Sequence, residues 1–242
     1  MLPYDRSLLI IPTYNEIDNI QRMLETLHSL YPTLSVHIID DGSPDGTAQI
    51  VKNYQAKWDK LNIIQREGKL GLGTAYITGF RYALERDFDF VFEMDCDLSH
   101  DPKDIPTLLE AAQTNDLIIG SRYINGIRII NWPMRRLLLS FFAGVYTRII
   151  TGMTVLDATG GFKCFTKKAL NSLNLDKVFS NGYSFQIELN FKVWSKGLKV
   201  KEVPIVFTER RDGESKMSGG IVFEAVFAVI KLRLRKIFGT LD

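Results

Sequence analysis

The segment 90-FVFEMDCDLSHDP-102 combines a short apolar run with a cluster of acids and is the strongest indication of the fold in this chain. The run ends on Asp95 and Asp97, and Asp101-Pro102 then has the form of a helix start, a capping residue followed by proline. Burying either carboxylate alone costs free energy, and two neighbouring carboxylates repel each other. The segment therefore predicts a buried strand whose end binds a cation.

Short apolar strands alternate with helical patterns throughout the first half of the chain. The predicted strands besides 90–95 are "SLLIIPTY" (7–14), "VHIIDD" (36–41), "NIIQR" (62–66) and "DLIIGSR" (116–122). Strands that are apolar on both faces and separated by helices indicate an α/β fold. We predict a mostly parallel central sheet with helices on both faces, and we expect the second helix to begin at Ser43 as N-cap with Pro44 at its first position.

Unusual polar residues follow four of these strands. They lie in "PTYNE", "DDGSPDG", "DCDLSHD" and "GSRY". Ligands of parallel α/β sheets bind outside the carboxyl ends of the strands, so the four segments predict one cleft. Asp40 and Asp41 are candidates for binding a base or ribose, or else for holding a turn. "KLGLGTA" (69–75) is a candidate phosphate cradle, but Tyr76 breaks the GxGxxG pattern of dinucleotide-binding dehydrogenases.

Asp95 and Asp97 are the candidate metal ligands. Side chains alternate along a strand, so two aspartates one residue apart project the same way. Carboxylate oxygens suit Mg²⁺ or Mn²⁺, which bind through one or two carboxylates together with substrate phosphates. The alternative is that the two aspartates cap the following helix and bind no metal. His100 is either a further ligand or a loop histidine with an ordinary hydrogen bond.

Composition limits the class of protein. The chain has 242 residues, 45% of them hydrophobic and 24% charged, which is ordinary for a globular protein. A net charge of +2 is too small to indicate nucleic-acid binding. Cys96 and Cys164 form neither a CxxC pair nor a disulfide framework, which fits a reducing cytoplasm. The apolar run "LLIIP" is too short for a signal peptide, and we expect no membrane-spanning segment.

Two apolar segments carry basic residues at their ends. They are "RRLLLSFFAGVYTR" (135–148) and "IVFEAVFAVIKLRLRK" (221–236). Such segments can lie in a membrane interface and attract anionic lipids. The alternative is that the first packs on the sheet as part of the core and the second covers an edge.

Six segments together resemble the dolichol-phosphate (polyprenol-phosphate) mannose synthases, inverting glycosyltransferases with the GT-A fold. These segments are "PTYNE" (12–16), "IIDDGSPDGT" (38–47), "KLGLGTAY" (69–76), "MDCDLSHDP" (94–102), "GSRY" (120–123) and "RRDGESKMSGG" (210–220). The resemblance implies transfer of mannose from GDP-mannose to a polyprenyl phosphate, with Mg²⁺ or Mn²⁺ as cofactor. It also implies a cytoplasmic enzyme attached peripherally to the inner face of a membrane, with a small membrane subunit as a candidate partner and no nucleic acid.

The resemblance also implies roles for particular residues. The set that it implies for binding GDP-mannose is Pro12, Tyr14, Glu16, Ile39, Asp41, Asp95, Cys96, Asp97, Arg122, Arg210 and Lys216. The implied catalytic residues are Asp97, Arg122, Arg210 and Lys216, with Asp95 and Asp97 as metal ligands and Arg136 at the acceptor phosphate. Two positions depart from the family pattern: Cys96 stands where alanine is frequent, and Ser99 where some members have a glutamine.

We expect a glycosyltransferase domain over residues 1–220, including an interfacial helix at 132–150, and a C-terminal basic amphipathic helix at 221–242. Two rival functions remain open on the sequence. One is a related transferase that uses UDP-glucose or another nucleotide sugar with the same lipid class, since the nucleotide-binding positions do not decide between guanine and uracil. The other is a nucleotide-sugar-binding protein without turnover.

Overall fold

The central sheet has seven strands in the computed structural model, which describes residues 2–209 and 219–241. The strands lie in the order β3-β2-β1-β4-β7-β5-β8, and β7 is antiparallel to both of its neighbours, whereas the other pairs are parallel. Their bounds are β1 Ser7–Thr13, β2 Ser35–Asp40, β3 Leu61–Gln65, β4 Phe90–Glu93, β5 Leu117–Ser121, β7 Lys163–Thr166 and β8 Val200–Pro204. The predicted, mostly parallel sheet is confirmed.

Helices cover both faces of this sheet. Leu8 and Ile10 of β1 join one apolar core, and Leu9 and Ile11 join the other, because successive side chains point to opposite faces. Helices α1, α2 and α4 pack on one face, and α3, α6, α7 and part of α8 on the other. The helices are α1 Ile17–Leu30, α2 Thr47–Gln55, α3 Leu72–Leu84, α4 Ile105–Ala112, α5 Met134–Thr151, α6 Lys167–Asn171, α7 Gly182–Ser195 and α8 Gly219–Ile237.

A small second sheet joins two distant loops beside the main one. It pairs β6 (Ile129–Ile130), which precedes α5, with β9 (Phe207–Thr208), which follows β8. The backbone N–H of Thr208 also donates to the carbonyl oxygen of Ser99 (3.2 Å). The loop that follows β4, the entry to α5 and the segment after β8 are thereby held in one place.

The predicted start of α2 is wrong. The helix begins at Thr47 after Gly46, whose φ of 97° few residues other than glycine adopt. Ser43 does not cap it: its backbone N–H donates to Asp40 Oδ2 (2.9 Å) and its hydroxyl to Asp40 Oδ1 (2.6 Å). Asp40, at the end of β2, thus binds Ser43, the residue that we predicted as the cap, and the chain turns before the helix starts.

Two aspartates in the loops cap other segments. Asp45 accepts hydrogen bonds from the backbone N–H groups of Thr47 (2.9 Å) and Ile17 (3.1 Å), so it satisfies donors at the starts of both α2 and α1. Asp101 accepts from the backbone N–H of Lys103 (2.9 Å) at the start of a short 3₁₀ turn that leads into α4. The predicted cap at Asp101-Pro102 is confirmed.

Helix α8 packs directly on the sheet domain. Val229 and Leu232 are buried in the same core as α3 and α7. The Tyr146 hydroxyl of α5 donates to the carbonyl oxygen of Val226 (3.1 Å), which joins the two helices. Within residues 2–209 and 219–241, no helix combines the length and the apolar character that crossing a bilayer needs.

His37 gives the fold a specific sensitivity to acid. It lies in β2 with 2% of its surface exposed, 4.0 Å from the ring of Tyr82, and neither ring nitrogen has a hydrogen-bond partner among the described residues. Burial, with a smaller contribution from Arg86, lowers its pKa to about 4. The folded state therefore resists protonation, so this contribution to stability is full above the unfolded pKa of about 6.5 and is lost as the pH falls toward 4.

We predict that His37→Leu makes the stability of the protein less dependent on pH. Between about pH 7 and pH 5, the free energy of unfolding of the parent should fall by about 2 kcal/mol more than that of the variant, because only the parent must protonate a buried imidazole. Urea unfolding at the two pH values measures this difference. Parallel losses of stability in the two proteins would contradict the prediction.

Candidate active site

The carboxyl ends of β1, β2, β4 and β5 meet at one edge of the sheet, since these strands are parallel. Their loops are hydrogen-bonded to one another: the Thr13 hydroxyl donates to Asp40 Oδ1 (2.9 Å), and the backbone N–H of Glu16 donates to Thr47 Oγ1 (3.0 Å). The backbone N–H of Asn15 donates to Ser43 Oγ (3.0 Å). The strand ends that the sequence predicts to form one cleft therefore lie along one edge of the sheet, and the loops after β1 and β2 are joined there.

Asp95 and Asp97 stand just beyond the end of β4. Asp95 has 38% of its side chain exposed, and Asp97 is half-buried. Asp97 Oδ1 accepts from the backbone N–H (3.1 Å) and the hydroxyl (2.5 Å) of Ser99, a turn that places Leu98 at a φ of 58°. The Cys96 side chain is buried in the core that contains α1, α2 and α4, and burial raises the pKa of its thiol. Only the backbone of Cys96 can therefore take part in ligand binding.

The donor set at the end of β4 fits a divalent cation that keeps some of its coordination for substrate. Within the described part of the chain, no three histidine, cysteine or acidic side chains form a closed metal site. Two carboxylates are the number that Mg²⁺ or Mn²⁺ uses when water and phosphate oxygens complete its shell. Asp95 and Asp97 therefore fit such a metal.

His100 is a buried neighbour of this pair. Its Nδ1 is 3.9 Å from Asp95 Oδ2, and its ring packs 5.4 Å from that of Phe162 and 5.3 Å from that of Phe207. Burial lowers its pKa to about 4, so the imidazole is neutral at physiological pH. The Nδ1 makes no hydrogen bond within the described residues, so the ordinary hydrogen bond predicted for this histidine is not made through that nitrogen.

A buried acid–base pair lies under the aspartates. Glu93 and Lys163 face each other across β4 and β7, and both are completely buried. The Lys163 ammonium donates to the backbone carbonyl oxygen (3.2 Å) of Gln186 in α7 and to the side-chain Oε1 of the same residue. Burial raises the pKa of Glu93 to about 7, although the charge on Lys163 acts to lower it. Burial lowers the pKa of Lys163 to about 8, although the charge on Glu93 acts to raise it.

Sequence reasoning missed this pair, although a signal was present. A single charged residue interrupts each of two apolar strands, "FVFE" and "GFKCF". Alternation puts Glu93, Asp95 and Asp97 on the same side of the chain. Lys163 supplies a positive charge for the deepest of the three, and the other two lie closer to the cleft.

Asp41 is held by the segment that we predicted as a phosphate cradle. Arg66 donates through Nε to Asp41 Oδ1 (2.5 Å), and both side chains are almost fully buried. The backbone N–H groups of Leu70 and Gly71 donate to Asp41 Oδ2 (3.1 Å each). These amides are therefore already used by a carboxylate, and Asp41 would have to give up some of these bonds to bind a nucleotide.

The other residues of the predicted nucleotide-binding set lie in different surroundings. Pro12 is half-buried, Tyr14 packs under the Lys69 ammonium (4.4 Å from nitrogen to ring centroid), and Glu16 accepts from the Asn19 amide (2.8 Å). Pro12 lies near the end of β1, and Tyr14 and Glu16 follow shortly after that strand. The Ile39 side chain is completely buried in the core, so any contact of Ile39 with a nucleotide would need its backbone.

Arg122 is fixed by a buried carboxylate. Its Nε and Nη2 donate to the two oxygens of Asp157 (2.7 and 2.5 Å), its backbone N–H donates to the same group (2.8 Å), and Nη2 also reaches Thr159 Oγ1 (2.8 Å). Asp157 raises the pKa of Arg122 despite full burial, so the guanidinium stays charged. The bidentate geometry holds this cation rigidly near His100.

Arg136 lies in the first turn of α5 and forms an ion pair with Glu209. Its guanidinium carbon is 4.2 Å from the centre of the Trp132 ring. Arg210 and Lys216, the remaining predicted catalytic cations, lie outside the described residues.

Comparison with known proteins gives relatives along nearly the whole chain. The model of Glycosyl transferase family 2 matches residues 8–173. An undecaprenyl-phosphate mannosyltransferase of Micrococcus luteus is 44% identical over 226 residues, covering 93% of each chain. A polyprenol monophosphomannose synthase of Mycolicibacterium smegmatis is 42% identical over 242 residues, covering 99% of this chain and 90% of the relative.

A solved structure with the same fold is glucosyl-3-phosphoglycerate synthase of Mycobacterium tuberculosis in complex with Mn²⁺, UDP-glucose and phosphoglyceric acid. The TM-score is 0.67, with 19% sequence identity, over 94% of this chain and 79% of that one. At this identity the likeness establishes the fold alone.

We predict that Lys163→Met destabilises the protein more than the double change Glu93→Met/Lys163→Met does. The single variant leaves the buried Glu93 without its nearby positive charge, which destabilises the folded state, whereas the double variant removes the buried carboxylate as well. Urea unfolding of the parent, both single variants and the double variant measures the coupling. Additive losses would show that the pair does not interact.

Proposed function

The chain belongs to glycosyl transferase family 2, in its polyprenyl-phosphate mannosyltransferase branch, and on that premise we propose that it transfers mannose from GDP-mannose to a polyprenyl phosphate. The products would be polyprenyl β-D-mannosyl phosphate and GDP. The observation that carries the proposal is the pair Asp95 and Asp97 beyond the end of β4, with the charged Arg122 in the same neighbourhood around His100. The names of the two relatives support the sugar and the lipid class, and the guanine base of the donor rests on the sequence resemblance.

Catalysis in this cleft depends on bringing two anions together. The acceptor phosphate is already ionised at neutral pH, so the reaction needs no strong general base. Arg136 would bind the acceptor phosphate, and the locked guanidinium of Arg122 would favour negative charge on the donor side. Attack by the phosphate oxygen opposite the leaving diphosphate would invert the anomeric centre and convert the α-linked donor into a β-linked product.

We assign Asp95 and Asp97 to a bound Mg²⁺ or Mn²⁺. The fold neighbour contains Mn²⁺ together with a nucleotide sugar, which supports a divalent cation here. When bound, the cation would supply neutralising charge for the departing diphosphate. Ser99 holds Asp97 Oδ1, so the aspartate is oriented before any ligand arrives.

A lipid acceptor requires contact with a bilayer, and two helices offer a surface for it. On α5 and α8, exposed apolar residues lie on one side of each helix and form a stripe. The stripes are Met134, Leu138, Phe142 and Ile149 on α5 and Phe227, Ile230 and Leu234 on α8, continued by Phe238 just after the helix ends. We infer that these stripes lie on the cytoplasmic face of a membrane, with a small membrane subunit as a candidate partner.

Three basic residues of α8 contact aromatic rings of their own domain. Lys231 and Arg235 lie 4.0 and 4.4 Å from the ring centre of Phe179, and Lys236 lies 4.3 Å from that of Trp194. These contacts hold α8 on α7 and on the loop before it. Lys231 remains exposed beside the apolar stripe, so α8 would offer a membrane basic charge together with that stripe.

The activity itself is tested with purified protein, labelled GDP-mannose, Mg²⁺ or Mn²⁺ and a polyprenyl phosphate. We expect label to pass into the organic extract, and the transfer to stop in chelator. A panel that includes UDP-glucose decides the donor: exclusive use of UDP-glucose would overturn the proposed donor. Donor binding without any transfer would instead favour the non-catalytic alternative.

We predict that Asp97→Asn lowers transfer at least about 100-fold, because the amide loses the charge that a divalent cation requires. The fold should persist, since asparagine keeps the oxygen that accepts from Ser99. Transfer assays, Mn²⁺ binding by electron paramagnetic resonance and circular dichroism measure the three effects. Asp101→Asn removes the same charge from the same loop and is the matched control. Full activity of Asp97→Asn would exclude the role proposed for this residue.

We predict that Phe142→Ser and Phe227→Ser each weaken binding to anionic phospholipid vesicles about tenfold, because each removes a phenyl ring from the inferred contact. Raising the salt concentration should weaken binding less than either substitution does. Vesicle sedimentation measures both effects. Leu30→Ser on α1, which packs on the opposite face of the sheet, is the matched control. Equal losses for all three variants would refute a surface formed by α5 and α8.

A further inference from the structure

A cluster of cations and aromatic rings lies where the loop after β5 enters α5. We refer to Arg122, Trp132, Arg136, Phe207 and Glu209 as the Trp132 cluster. The indole ring lies near two guanidinium groups, with carbon-to-centroid distances of 5.3 Å to Arg122 and 4.2 Å to Arg136. The Phe207 ring packs against its edge at 5.4 Å. The cluster thus places two ion-paired guanidinium groups against one partly buried aromatic side chain.

Two buried hydrogen-bond donors in this cluster are unsatisfied. The indole Nε1 of Trp132 and the Nε of Arg136 have no hydrogen-bond partner in residues 2–209 and 219–241. Leaving a buried donor unpaired raises the free energy of the folded state. Unpaired N–H donors beside two guanidinium groups are complementary to an anion that offers several acceptor oxygens, such as a phosphate.

The two arginines hold their carboxylates in different ways. Arg122 binds Asp157 through its backbone and two side-chain nitrogens, and the Asp157 side chain is completely buried. Arg136 meets Glu209 through a single nitrogen and a single oxygen, and the two side chains are 19% and 22% exposed. The first pair is a fixed part of the structure. The second pair is the one that an incoming anion can exchange.

Helix α5 connects this cluster to the inferred membrane surface. The helical spacing puts Arg136 on the face opposite Met134 and Leu138, which are 66% and 46% exposed. A phosphate bound to Arg136 would therefore lie about one helix diameter, roughly 10 Å, from the apolar stripe. That position suits a phosphate whose ester chain remains in the bilayer.

We propose that Glu209 occupies the place of the acceptor phosphate on Arg136 and that the phosphate displaces it, binding also to the indole N–H of Trp132. A phosphate monoester carries about −1.5 to −2 charges at neutral pH against −1 for a carboxylate, so it competes effectively for the guanidinium. Glu209 sets the affinity for the lipid, and Trp132 is a further binding residue. This inference rests on the proposed function, because it concerns the acceptor of that reaction.

The test compares binding of a short-chain isoprenyl phosphate, the matching alcohol and inorganic phosphate by isothermal titration calorimetry. Glu209→Gln should bind the isoprenyl phosphate about three- to tenfold more tightly, since the competing charge is gone. Trp132→Phe keeps an aromatic ring but removes the N–H, and it should bind about three- to tenfold more weakly. Glu110→Gln, an exposed glutamate of α4, removes the same charge at a distance and should behave as the parent.

The three ligands separate the sources of affinity. Inorganic phosphate should bind more weakly than the isoprenyl phosphate but with the same dependence on Glu209, and the alcohol should not respond to Glu209→Gln. Equal affinity for the alcohol and the phosphate would overturn the proposal, and so would unchanged or weaker phosphate binding by Glu209→Gln. Trp132→Phe binding as the parent does would remove Trp132 from the site.

Kinetics distinguish failure of this inference from failure of the proposed function. In transfer assays, Glu209→Gln should lower KM for the lipid phosphate and leave KM for the nucleotide sugar unchanged, whereas a general loss of structure would change both. If the protein binds the isoprenyl phosphate as described but transfers no sugar, the proposed reaction is wrong and the binding site stands. Transfer that is indifferent to Glu209 and Trp132 would leave the reaction intact and refute the site.

Discussion

Three carboxylates project from the same side of β4 and the residues after it, and their mutual repulsion is the constraint that organises the cleft. Glu93 is the deepest, and it is compensated from within the sheet by Lys163, which faces it on the antiparallel strand β7. Asp95 and Asp97 lie farther out, where water and ligands reach them. Lys163 of β7 thus provides a positive charge for Glu93, and a bound cation would relieve the repulsion between Asp95 and Asp97. Because β7 carries the lysine, its antiparallel insertion between β4 and β5 contributes to the electrostatics as well as to the sheet.

The loops of the cleft are held in place by acids that bind neighbouring backbone. Asp40, Asp41, Asp45 and Asp157 each accept at least one backbone N–H from a loop or strand end. Such bonds fix loop geometry before a ligand arrives, which favours reactions that depend on positioning rather than on a strong acid or base. The same bonds explain why so many acids occur at this edge: they organise the protein, and Asp97 does so as well through its bonds from Ser99.

The sequence predicts the sheet and the cleft because both depend on local signals, namely apolar runs and the polar residues that end them. It fails where distant segments compete for one group. Ser43 has the local features of a helix cap, yet Asp40 takes its N–H and hydroxyl because β2 ends there. The pairing of Glu93 with Lys163 required knowledge that β7 inserts next to β4, and the basic end of α8 gave no sign that its cations would pack on Phe179 and Trp194. Ile39 fits the nucleotide-binding pattern by position, but its side chain belongs to the core.

Helix α5 has opposite requirements on its two faces. Toward the cleft it presents Arg136, a cation that must remain hydrated or paired, and toward the outside it presents a stripe of exposed apolar side chains. A soluble protein has no reason to keep such a stripe next to a charged site, since both raise the free energy of the folded state in water. The combination becomes favourable for a substrate with the same two parts, a phosphate head and an apolar chain. On this argument Glu209 keeps Arg136 paired while no lipid is bound, and the charge on the lipid head group releases it.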